Sequence, residues 1–81
     1  MNIEVLGSGC AKCLKLYDTA VAAVGDLGLD AKVEKVADMA RIASYGVMRT
    51  PALVVDGKVV LMGMVPGKEQ LKSILQARSG K

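Results

Sequence analysis

The sequence predicts an α/β fold in the order β-α-β-α-β-β-α, with a mixed four-stranded sheet flanked by three helices. Three observations lead there. Residues 2–6 alternate around Ile3 and Val5 and end in Leu6, which is the period of a strand. The turn Gly7-Ser8-Gly9 then gives way to helical spacing, with Leu14, Tyr17, Val21 and Val24 as its apolar positions. Farther on, Ala52-Leu53-Val54-Val55 and Lys58-Val59-Val60-Leu61-Met62 are separated by Asp56-Gly57. That is a hairpin signal, because a type I′ turn needs positive φ at both central residues.

The other elements follow in order. The first helix is expected over about residues 10–24, ended by Gly25 and Gly28. Residues 31–36 alternate again, with Val33 and Val36 beside Glu34 and Lys35, and read as a second strand. Asp38 suits the N-cap of a short helix carrying Met39, Ile42 and Ala43, terminated by Gly46. Thr50-Pro51 stands directly before the third strand, where proline is tolerated. Pro66 fits the first turn of a last helix whose apolar face is Leu71, Ile74 and Leu75, running out near Gly80. Strands one and two should be parallel, joined by a right-handed helical crossover. The hairpin adds two antiparallel strands, and helices should cover both faces.

Composition narrows the function classes. The 81 residues form one domain, 1–81, without linker or repeat. With 52% hydrophobic residues, no Trp, no Phe and two Tyr, the core must be aliphatic. The net charge is +3, and the lysines are scattered. No basic stripe or set of stacking aromatics is present, so nucleic acid is not an expected partner. No apolar stretch reaches membrane-spanning length, so no membrane is expected either. Glu4 interrupts a very short apolar start, which does not read as a signal peptide. A cytoplasmic location is expected, and there a close cysteine pair is catalytic or metal-binding more often than structural. The absence of His removes histidine general-base and histidine-metal schemes.

The chemistry is concentrated in Gly7-Ser8-Gly9-Cys10-Ala11-Lys12-Cys13. A strand-to-helix turn puts Cys10 at a helix N-terminus, where partial positive charge favours the thiolate. Residues three apart on a helix are neighbours, within the reach of a disulfide. Cys10 could then attack a substrate disulfide and Cys13 resolve the mixed disulfide. Lys12 and Lys15 read as solvated helix lysines, and Met62 and Met64 as apolar packing. Tyr17 and Tyr45 read as packing residues with a wet hydroxyl. A second function uses the same thiolates to bind or carry a soft metal such as Cu(I), Zn or arsenic. Small heavy-metal domains also start with a strand, a GxxCxxC loop and a helix. Their hairpin follows the first helix directly, however, and they finish on a strand.

"IEVLGSGCAKC", "TPALVVDGKVV" and the terminal helix together span nearly the whole chain. In this order they resemble the thioredoxin superfamily. The closer likeness is to small redox-active disulfide proteins of bacteria and archaea, of the thioredoxin-like and glutaredoxin-like kind. The resemblance implies a thioredoxin-like fold and a thiol-disulfide oxidoreductase that needs no cofactor. Its partners would be a disulfide substrate and a thioredoxin-reductase-like or thiol reductant. It makes Cys10 the exposed nucleophile and Cys13 the buried resolving thiol. It makes Pro51 cis and facing the cysteine pair, with Thr50 lending its backbone to an extended substrate. Thioredoxins carry a buried acid six residues before the first cysteine, and Glu4 stands there as a candidate proton acceptor. Exposure of Glu4 on a sheet face or edge is the rival reading. The chain departs from the pattern in three places. Gly9 replaces the usual Trp, Ala11-Lys12 lies between the cysteines, and Gly63-Met64-Val65-Pro66 lacks the glutaredoxin acid that holds glutathione.

Overall fold

The computed structural model describes residues 1–7 and 11–79. The elements are β1 (Asn2–Leu6), α1 (Ala11–Leu27), β2 (Lys32–Val36), α2 (Met39–Ser44), β3 (Ala52–Val55), β4 (Lys58–Met62) and α3 (Lys68–Ser79). They build one four-stranded sheet in the order β2-β1-β3-β4. β1 runs parallel to β2 and antiparallel to β3, and β3 pairs antiparallel with β4. This is the predicted thioredoxin-like arrangement. Asp56 and Gly57 take φ of 50° and 85°, as the hairpin turn requires. A register shift at Leu53/Val54 bends the outer strand pair.

Alternation sorts β1 and β3 onto two faces. Ile3 and Val5 pair across the strands with Val55 and Leu53, and all four lie in one buried cluster with Leu16, Ala20, Ala23, Leu71 and Leu75. That face carries α1 and α3. Leu6 pairs with Ala52, and these join Val54, Val36 and Ile42 in a smaller cluster under α2. Each fully buried Leu or Ile contributes about 1.5–3 kcal/mol, so the first face holds most of the apolar stabilisation.

Three local readings differ from the sequence expectation. α1 turns Leu14 and Val21 outward, each 45% exposed, and buries Cys13, Leu16, Ala20 and Ala23 instead. The small alanines let α1 lie close against the sheet and α3, a demand that outweighs the greater hydrophobicity of Leu and Val. α1 also continues through Gly25. It ends at Gly28, φ 65°, with Leu29 N–H bonded to Val24 C=O at 3.1 Å and Gly28 N–H to Gly25 C=O at 3.2 Å. Pro66 is buried ahead of α3 rather than in its first turn, and Gly67 C=O accepts the early helix bond from Leu71 N–H at 3.0 Å. For α2 the expected cap holds: Asp38 Oδ1 accepts from Ala40 N–H at 3.0 Å.

Candidate functional site around Cys13, Thr50 and Pro51

The site forms where β1 ends and α1 begins. Gly7 N–H donates to Val36 C=O at 2.9 Å, which extends the parallel ladder one residue beyond β1. Gly7 is buried, and only a hydrogen on its Cα leaves room for what lies there. A Cβ at Gly7 would sit 3.0 Å from Cys13 Cβ and overlap Cys13 Sγ. The same point lies 3.9 Å from Thr50 Cβ. Gly7 is therefore the seat on which the Cys13 side chain rests, with Thr50 at its flank.

Cys13 is 4% exposed, in the first turn of α1. That turn contains no acid, and Lys12 and Lys15 are exposed on the same helix. A pocket of about 220 Å³ opens beside it, lined by Val5, Gly7, Cys13, Leu14, Lys35 and Ala37. Lys35 Nζ stands 4.9 Å from the centre of the Tyr17 ring. Cys10, the expected nucleophile, and the Ser8-Gly9 part of the turn lie outside the described residues.

The Thr50–Pro51 peptide bond is cis, as the resemblance implies. Pro51 is fully buried and Thr50 is exposed. Pro51 C=O accepts from Gly63 N–H at 2.7 Å, which ties the start of β3 to the end of β4. Thr50 is thus an exposed residue that flanks Gly7 and Cys13.

Glu4 occupies a different place. The rival reading of exposure is overturned, because β1 is an inner strand and Glu4 is 8% exposed. Alternation turns it to the α2 face, away from the α1 face that carries Cys13. Its carboxylate accepts from Arg41 Nη2 at 2.5 Å and from Tyr45 Oη at 2.5 Å. This hydrogen bond to the carboxylate, with burial, raises the Tyr45 pKa above its usual value near 10. Tyr45 therefore has a specific partner where a water-facing hydroxyl was expected. Glu34 stands opposite Glu4 across β1 and β2. Sequence reasoning missed Arg41 and gave Tyr45 a packing role only, although the four-residue spacing of Arg41 and the C-cap Tyr45 was a usable signal. Met62, at the end of β4, and Met64, just beyond it, both expected as packing, are 45% and 44% exposed.

Comparison with known proteins agrees with this geometry. Residues 1–76 match a family model described as a thioredoxin domain. A thioredoxin of Methanothermobacter thermautotrophicus is 44% identical over 75 residues, covering 93% of this chain and 97% of that protein. A thioredoxin of Methanocaldococcus jannaschii is 39% identical over 80 residues, covering 94% of this chain and 92% of that protein. With the strand order, the cis Thr50–Pro51 bond and a cysteine in the first turn of α1 already in place, the chain belongs to the thioredoxin family of thiol-disulfide oxidoreductases.

Proposed function

We propose that this chain exchanges electrons between a Cys10–Cys13 dithiol and substrate disulfides. The thiolate of Cys10 attacks one sulfur of the substrate disulfide and displaces the other as a thiolate, which takes a proton from solvent. The mixed disulfide so formed is attacked by Cys13. Cys10–Cys13 closes, the second substrate thiolate leaves and takes up the proton that Cys13 gives up, and two electrons have passed to the substrate. A thiol reductant, or a reductase acting on thioredoxins, returns them. Substrate backbone would lie along Thr50 and Pro51. The observation that supports this most is the seat at Gly7, which sets the Cys13 sulfur at the start of α1 and beside Thr50. The proposal gives Glu4 the part of holding Arg41 and Tyr45, rather than of taking the Cys13 proton from across the sheet. A cytoplasmic compartment would keep such a dithiol reduced. Soft-metal carriage draws no support from the two thioredoxins.

Trapping tests the mechanism. Cys13→Ser incubated with a disulfide-linked peptide should accumulate one peptide adduct on Cys10, seen by intact mass and fragment mapping. Cys10→Ser should accumulate far less. An adduct-free Cys13→Ser would remove the mixed-disulfide mechanism.

A further inference from the structure

We propose that Arg49 is a specificity-determining residue that favours disulfide substrates with acidic residues beside the reacting cysteine. The inference deepens the oxidoreductase reading above and rests on it.

Arg49 immediately precedes Thr50 and is exposed. Its aliphatic stem is nevertheless held in place. A Cβ at Gly63 would lie 3.2 Å from Arg49 Cβ, 3.8 Å from Cγ and 3.1 Å from Cδ. Gly63 takes φ of 75°, which only glycine adopts freely, and its N–H is the donor to Pro51 C=O at 2.7 Å. The stem thus lies flat on the backbone segment that anchors the cis proline. The guanidinium lies beyond Cδ on an exposed residue that directly precedes Thr50. A stem already ordered by packing gives up less freedom when its head group pairs.

The head group is available. Among the described residues, the ion pairs use Arg41, Lys68 and Lys72, and none uses Arg49. Glu4, the buried acid midway along β1, is taken by Arg41 and Tyr45. Asp56 lies at the other end of β3, bonded to Asn2 N–H. An acidic group docked beside Thr50 therefore meets a cation that no acid among the described residues pairs with. Half-exposed Met62 and Met64, at the end of β4 that Gly63 adjoins, give an adaptable apolar floor for the substrate residue between them.

The test uses two disulfide-linked peptides that differ only in carrying Asp or Lys on both sides of the cysteine. The unmodified protein should reduce the Asp peptide with a kcat/KM about fivefold higher at low salt, the size expected of an exposed charge pair. The ratio should fall toward one as salt is added. Arg49→Met keeps the stem over Gly63 and should bring the ratio close to one, Arg49→Lys should retain most of it, and Arg49→Glu should invert it. Equal rates on the two peptides by the unmodified protein would overturn this inference while leaving the redox chemistry standing. A preference that survives in Arg49→Met and Arg49→Glu would overturn it too, by moving the selectivity elsewhere. If neither peptide is reduced, the oxidoreductase reading fails and this inference falls with it.

Discussion

The two faces of the sheet are held by different chemistry. Under α1 and α3, the described residues include nine buried apolar side chains in one cluster. Under α2 there are five, and a carboxylate lies among them, bonded to an arginine and a tyrosine. The first face is non-directional and tolerant of small rotations, because area buried sets its free energy. The second depends on geometry, because a carboxylate satisfies Arg41 and Tyr45 in only a few orientations. The difference matters at the site. α1 has to be stable to present Cys13, whereas α2 has to be oriented, since the chain passes from it directly into residues 45–51.

The largest effect should come from the apolar face. Leu53→Ala or Leu71→Ala removes a fully buried side chain and should cost about 2–5 kcal/mol, read as a lower urea midpoint. A loss below about 1 kcal/mol would mean that the face collapses around the gap and is less tightly packed than described. At the junction between the two faces, Gly7→Ala places a Cβ against Cys13. Overpacking there should cost about 1–3 kcal/mol and slow resolution of a trapped mixed disulfide, measured by single-turnover release of the peptide.

The α2 face should respond more gently. Glu4→Ala leaves the Tyr45 hydroxyl and Arg41 without their acceptor and should cost about 1–3 kcal/mol. Arg41→Ala should cost less than about 1 kcal/mol, because the Arg41 side chain is 51% exposed. If Arg41→Ala proves as damaging as Glu4→Ala, the acid is held by the charge pair alone.

Alkaline titration separates the faces further. The Tyr45 pKa is raised by its bond to Glu4, so that stabilisation is whole below about pH 10 and is lost as pH rises through the higher folded value. The Lys68 pKa, raised by Asp26 between α1 and α3, has the same sign. Asp26 has a lowered pKa, and its contribution is lost only as pH falls through that depressed value. Both alkaline losses should appear in urea midpoints taken from pH 8 to 12. About 1 M salt, with a Debye length of about 3 Å, should remove the exposed Asp26–Lys68 part and spare the Tyr45 part. Tyr45→Phe should abolish the salt-resistant loss. The smallest effect is expected of Asp26→Asn, which should leave the neutral-pH midpoint nearly unchanged.

What the sequence makes legible is local. Asp56-Gly57 specifies its own turn, and Asp38 caps α2 through a bond two residues away. The order of elements, and the glycine-rich turn before the cysteines, carry the fold and the place of the site. The buried stripe of α1 is harder to see. Leu14 and Val21 outrank Ala20 and Ala23 in hydrophobicity, but closeness to α3 and the sheet selects the smaller residues. The partners of Glu4 stand 37 and 41 residues away in the chain. Only the pairing of β1 with its neighbours and the packing of α2 bring them together, and no window of sequence contains both. Exposure of Met62 follows from β4 being an outer strand, which depends on strand order rather than on the residue itself.

A redox titration is the most direct test of the account. The chain is equilibrated in defined mixtures of reduced and oxidised dithiothreitol, and its thiols are then counted by alkylation and mass. If Cys10 and Cys13 act as one dithiol, both should be protected together in a single two-electron transition, about 30 mV per tenfold change in ratio. Independent alkylation of the two cysteines, or their persistence as thiols across all mixtures, would contradict it.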